Sequence, residues 1–400
     1  MIGSIKRYFR FFFQTLFLKK EKIILFNHFV SFYLTGSFFK KHYSKKEKEK
    51  SLQLAVNWLL SSQNNSEDGG MGTYYITEGW TSSYPETSGY ILTTFNDSIK
   101  IFPGRKVEIE NSIFKCADWL LEIQKPSGGW QSHYISHNRP EVVFNTGQVI
   151  RGLAVAYSIE KNEKYLTGII KACDWLSKVQ EENGSWVKMA SMNKARVYDS
   201  YVSHPILLGY QLTGNEKYKK AAIKNCDWIL TQQLPNGWFE NADNTEKNND
   251  RPILHTIAYT IDGLINCGII LDEKKYVDAG KKAADKLLDL FNEGKHFNGR
   301  FDKGWKSSGY MICTGCAQMA IIWMQLFKIR GEEKYKESAS KMNDQLVYIQ
   351  HSCLTIRGNG NGAITGSFPL WGKYEPFGFP NWATKYMADA LILEMSLTTE

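Results

Sequence analysis

The chain has 400 residues, 43% apolar and 14% aromatic, enough for one large buried core or two small ones. Its net charge of +8 sits at the N-terminus: residues 1–50 hold twelve Lys or Arg against three Glu, while the other 350 hold 37 basic and 38 acidic groups. The bulk of the molecule is therefore neutral, which argues against nucleic acid as its partner.

Residues 1–47 read as a basic, aromatic extension. Ten of the 22 phenylalanines fall in the first fifty residues, interleaved with Lys and Arg. The stretch 23–39 carries no Lys, Arg, Asp or Glu, but at seventeen residues it is marginal for a membrane span. It shows no cleavage site of signal-peptide type. The composition predicts peripheral attachment to an anionic membrane surface. The alternative is two or more extra helices packed on the main body.

From residue 48 to 400 an internal repeat organises the chain. Ala117–Trp130, Cys173–Trp186 and Cys226–Trp238 share one pattern, and a weaker copy runs from Asn57 to Gly72. Their spacing is about 55 residues, a period that marks stacked supersecondary units. In each unit an amphipathic helix carries Trp-Leu, ends near a Gln and is stopped by a Gly turn. A loop and a more apolar helix follow. Outer helices are expected near 48–62, 108–124, 164–180, 217–232, 274–292 and 333–350. Inner helices should begin near Glu86, Asn145, Asp199, His255, Cys313 and Asn381. Six alternating pairs predict an all-α (α/α)6 toroid.

The pattern at Trp119/Gln124/Gly128/Trp130 and Trp175/Gln180/Gly184/Trp186 resembles the QW motif of squalene-hopene and oxidosqualene cyclases. That resemblance implies the terpenoid cyclase and protein prenyltransferase type of toroid, in which Gln and Trp tie helices together. The acidic Asp-x-Asp-Asp run of the bacterial cyclases is missing, as is the prenyltransferase zinc pattern. A looser resemblance is to (α/α)6 carbohydrate enzymes, such as epimerases, unsaturated-uronide hydrolases and lyases. It rests on Thr213–Tyr218 between helices and on Thr146–Tyr157, which is similar to a stretch of glucuronyl C5-epimerases.

In a toroid the six inner-helix starts face one cavity. The sequence therefore predicts Glu86, Asp199, Tyr198, His255 and Tyr259 as acid–base groups. Trp80, Tyr84, Asn145, Gln148, His204, Trp305, Gln318, Asn381, Trp382 and Lys385 are expected to bind substrate. Arg151 and Lys385 are the cations expected to hold an anion. Asn145 and Asp199 have a plainer reading as helix caps, and the histidines as satisfied core groups. Trp130 and Trp186 read as braces of the outer layer. The Gly-rich segment 357–385 is long for a connection and is expected to cover the cavity. The seven cysteines, an odd number, read as small buried hydrophobes of a reducing, cytoplasmic setting. No cofactor and no metal is expected, Cys313 and Cys316 forming a lone CxxC. These features favour an enzyme of the epimerase, lyase or hydrolase type acting on a surface or lipid-linked glycan. The alternatives are a terpenoid-type enzyme on an isoprenoid and a non-catalytic binding toroid.

Overall fold

The computed structural model describes residues 2–15, 21–35, 41–293, 297–353 and 359–397. Part of the uncharged stretch 23–39 and the start of the Gly-rich segment, including Arg357, lie outside them. Two helices lead: α1 (Ile2–Thr15) and α2 (Glu21–Phe29), the latter continued by a π-helical turn, Val30–Thr35. Twelve more follow in outer–inner alternation. They are α3 (Lys45–Asn64), α4 (Pro85–Ser98), α5 (Lys106–Glu122), α6 (Val143–Glu160), α7 (Glu163–Lys178) and α8 (Ser200–Thr213), then α9 (Glu216–Thr231), α10 (Leu254–Leu271), α11 (Lys274–Asn292), α12 (Cys313–Arg330), α13 (Glu333–Ser352) and α14 (Asn381–Leu397).

Of these twelve, the even-numbered helices form a closed inner ring. α4 packs on α6, α6 on α8, α8 on α10, α10 on α12, α12 on α14, and α14 returns to α4. Each inner helix also packs on the outer helix that follows it, and α14 packs on α3, so the two chain ends complete the last pair. The reversals are local. Gly214, at φ +70°, ends α8 and the Asn215 side chain caps α9 by accepting from the Lys217 N–H.

The repeat Gln builds the outer ring. In each copy its Nε2 donates twice, once within its own turn and once to the next outer helix. Gln63 donates to the carbonyls of Gly69 and Ser112, Gln124 to those of Gly128 and Gly168. Gln180 donates to Gly184 and Ala221, Gln233 to Gly237 and Ala279. Gln350, outside the recognised pattern, does the same to Gly362 and Ser51 and closes the circle. At the remaining position Asn292 substitutes, donating to Ser338 Oγ. The expected bracing role of Trp130 and Trp186 is what they have: both are fully buried, and their indole N–H groups donate to Leu120 and Leu176 carbonyls.

At the inner-helix starts a second ring of hydrogen bonds links successive loops. Ile135 N–H donates to Ser83 O, Val143 to Met189 O, Val197 to Asn241 O, Leu254 to Gly299 O and Cys313 to Gly366 O, and Asn381 Nδ2 reaches Met71 O. All six starts therefore lie at one end. Seven two-residue strands decorate that end: β1 (Tyr74–Tyr75), β2 (Gly79–Trp80), β3 (Arg300–Phe301), β4 (Ser307–Ser308), β5 (Met311–Ile312), β6 (Ser367–Phe368) and β7 (Gly378–Phe379). The last segment before α14 is stitched down by β1–β7 and β5–β6 pairing and forms a cover.

α1 and α2 pack on this cover. Phe11 stacks on Phe377 at 4.0 Å, Arg7 pairs with Glu78 and Glu375, and buried His28 accepts the Leu370 N–H. The opposite face of α1 leaves Ile5, Phe9, Phe12 and Phe13 exposed. Among the described residues one helix, α10, is long and apolar enough to cross a membrane, and it is an inner helix of the ring.

Candidate functional site

The inner helices run parallel, so residues equally far from their starts form layers across the lumen. The second residue of each helix makes the top layer: Glu86, Phe144, Tyr201, His255, Thr314 and Trp382. Four residues on, Tyr90, Gln148, Tyr259, Gln318 and Tyr386 form a middle layer. Seven on, about 10 Å deeper, come Thr93, Arg151, Leu208, Asp262, Ile321 and Asp389. The i, i+4, i+7 spacing keeps one helix face on the axis.

Glu86 is the acidic group of the top layer. It is 9% exposed, and burial raises its carboxyl to about 7, against a hydrogen bond from Tyr84 that lowers it. The hydroxyls of Tyr84, Tyr90, Tyr198, Tyr259 and Tyr374 all lie within its electrostatic reach. A carboxyl poised near neutrality can take or give a proton at working pH. His255 occupies the same layer on the opposite inner helix, α10. Its Nδ1 lies 2.8 Å from Gln318 Oε1, and burial pushes it down to about 4, so it is neutral. With Nδ1–H donating to that oxygen, Nε2 is left as an acceptor. Tyr259 lies against His255 at 4.4 Å and against Tyr201 at 4.5 Å.

Asp199 precedes α8 and is 2% exposed. It makes no capping bond to the helix, and Oδ2 has no partner. Burial raises its carboxyl well above the usual range, with Arg196 opposing. Burial also raises the Tyr198 hydroxyl, with Asp199 and, more weakly, Glu86 raising it further and Arg196 opposing. Asn145 does not cap its helix either. Its Nδ2 donates to Gln131 O and ties down the preceding loop.

The rest of the expected set divides. Tyr84 and Trp382 are at the mouth, 6.3 Å apart, and Trp382 Nε1 donates to Tyr374 OH of the cover. Tyr374 stands over His255 at 5.9 Å. Trp80 is turned away onto Trp58 of an outer helix, and Trp305 packs on Phe301 and donates to Asn236 O. Among the described residues, neither makes a ring contact or hydrogen bond with a mouth residue. Gln148, His204, Arg151 and Lys385 lie lower. There Arg151 is engaged by Gln148 Oε1, His204 Nδ1 and Tyr201 O, and Lys385 by Asp389 at 2.5 Å.

Arg151, His204 and Lys385 line a separate chamber of about 290 Å³ with Asp262, Asn266 and Gln325, at the far end of the lumen. A tyrosine floor divides it from the mouth, with Tyr386 OH donating to Tyr201 OH at 3.1 Å. The single cavity expected from sequence is therefore two polar layers around an aromatic plug. Sequence reasoning missed Arg196, a buried guanidinium in the loop before α8. Among the described residues no three His, Cys, Asp or Glu converge as metal ligands; Cys313 and Cys316 are buried in the core.

No protein-family model matches the chain. A curated relative, protostadienol synthase A of Arthroderma gypseum, is 26% identical over 171 residues, which is 40% of this chain and 22% of that one. The matched part is thus under a quarter of the relative's length. Among solved structures, an unsaturated glucuronyl hydrolase specific for heparin superposes with a TM-score of 0.69 at 13% identity, covering 89% of this chain and 99% of that one. Cellobiose 2-epimerase from Bacillus thermoamylovorans gives 0.67 at 11% identity, covering 88% and 99%. Both resemblances read from the repeat are present, and the fold is the (α/α)6 toroid.

Proposed function

We propose that this chain is a glycan-modifying enzyme, of the epimerase, lyase or hydrolase type, with Glu86 as its proton-transferring group. The observation that carries this is a carboxyl raised to about 7 by burial, set among tyrosine hydroxyls at the mouth of the inner ring. Tyr84 donates to it, Tyr259 lies within its electrostatic reach, and His255 on the opposite inner helix offers a neutral Nε2 acceptor. Trp382, Tyr84 and Tyr374 supply faces on which a sugar ring can stack. The glycan-active neighbours support this reading through their shared architecture. The likeness to protostadienol synthase A supports the isoprenoid alternative. Against that alternative, the mouth holds Gln318 Nε2 and Asn381 Oδ1, both buried without hydrogen-bond partners, which a hydrocarbon would leave unsatisfied.

The finer context is a membrane surface: the charge surplus of residues 1–50 and the exposed phenylalanines of α1 suit an anionic bilayer carrying a lipid-linked glycan. The test is to incubate wild type and Glu86→Gln with a panel of bacterial and animal polysaccharides and follow products by NMR. Turnover by wild type alone is expected. Equal turnover by the amide variant would remove Glu86 from the chemistry.

A further inference from the structure

We infer that one edge of Arg196, in the loop that carries Tyr198 and Asp199, is a carboxylate-binding subsite, so that the sugar handled at this mouth is an acidic one. The inference rests on the reading of the mouth as a glycan site. Arg196 is 2% exposed. Its one hydrogen bond is a long contact, Nη1 to Asn249 Oδ1 at 3.4 Å. Nε and Nη2 are buried and have no partner, and no ion pair to Arg196 occurs among the described residues. A buried guanidinium without a counter-charge is among the costliest arrangements in a protein interior.

The two unpartnered nitrogens are the side-on edge of the guanidinium. Their N–H groups run parallel at the spacing of two carboxylate oxygens, the geometry of bidentate recognition. Asp199 does not fill that edge. It lies within electrostatic reach, but no bond joins it to Arg196, its Oδ2 is unpartnered, and burial favours its neutral form. Tyr198, two residues on, is within electrostatic reach of Arg196, Asp199 and Glu86, so the subsite belongs to the same loop as the groups of the mouth. The other interior cations are already engaged, Arg151 by three acceptors and Lys385 by Asp389.

The probes are oligogalacturonate and heparosan oligosaccharides, each compared with its carboxyl-reduced form, and a sulfated neutral glycan. Binding is read by calorimetry and by thermal shift on the full chain. Wild type should bind at least one acidic oligosaccharide in preference to its reduced partner. Arg196→Lys, which keeps the charge but not the fork, and Arg196→Met should bind it about ten- to a hundredfold more weakly. Glu86→Gln should still bind it while losing turnover. Equal treatment of acidic and reduced forms by wild type, preference for the sulfated glycan, or unchanged binding by both Arg196 variants would overturn the subsite. The wild-type comparison holds even if an Arg196 variant fails to fold. Retained turnover by Glu86→Gln with the acidic preference intact would remove the catalytic reading and leave the subsite standing.

Discussion

Burial ties the proton on Glu86 to stability as well as to chemistry. Unfolded, the carboxyl ionises near 4.5; folded, it does so near 7. Between these values the folded state holds a proton that the unfolded chain has released, so stability falls as pH rises through that window and is flat above it. The difference corresponds to about 3 kcal/mol. Glu86→Gln cannot ionise. It should match wild type in melting temperature at pH 4, exceed it by several degrees at pH 8, and lose activity by a factor of roughly 10² or more. A melting difference independent of pH would mean that burial is not what perturbs the group. Asp199→Asn follows the same logic. The side chain makes no capping bond, so the amide should leave the fold intact and at neutral pH relieve the cost of a buried acid. Loss of activity with a melting temperature at or above that of wild type is the expected result. Retained activity would make Asp199 structural.

Among the elements, the repeat turn is where sequence and packing meet most tightly. Gly128 lies at φ +106°, and a Cβ there would meet Lys171 O at 2.3 Å. Gly128→Ala should cost about 2–4 kcal/mol, whereas Gly104, with open space and no positive φ, should tolerate Ala nearly neutrally. Denaturant midpoints of the two variants check this. The repeat was legible because Gln and Gly recur at fixed spacing and do one job. Gln350 and Asn292 escaped notice because their turns lack the Trp that marks the pattern, although the backbone asks the same of them. The division of the lumen was harder to see. Arg151 lies seven residues after Phe144 and Lys385 three after Trp382, so helical phase puts them below the mouth, while residue type alone puts them in it. Arg196 gave no signal, since it sits in a connection where no period applies. α1 adds a prediction of its own. Its exposed face (Ile5, Phe9, Phe12, Phe13) should hold the protein on anionic vesicles. The cut that removes it belongs ahead of Lys41, because Tyr43 is buried and its N–H bonds Asp344. A chain starting at Lys41 should fold and lose flotation on phosphatidylglycerol vesicles; equal flotation by both forms would refute the attachment.

At the scale of the whole molecule the ring is closed by a buried cation. Lys48 of α3 lies 2.9 Å from Asp344 of α13 and 2.7 Å from Glu394 of α14, and donates to Ser340 Oγ at 3.0 Å. Thus the first outer helix is fastened to the last pair by one ammonium group. Such a set need not add net stability over an apolar one, but removing one partner leaves buried charge behind, at about 3–5 kcal/mol. Lys48→Met should therefore lower stability by that order. Two outcomes are physically distinct. If α3 were an appendage, it would fray alone: amide exchange would rise in 45–64 and the main transition would stay put. In a closed ring α3 also supplies the Ser51 carbonyl that Gln350 holds and the Gln63 amide that holds α5. Its release removes a neighbour from each side, so exchange should rise around the whole ring and one cooperative transition should shift. Replacing Asp344 and Glu394 by apolar residues in the Lys48→Met background should recover much of the loss, because the penalty comes from the stranded carboxylates rather than from the missing lysine.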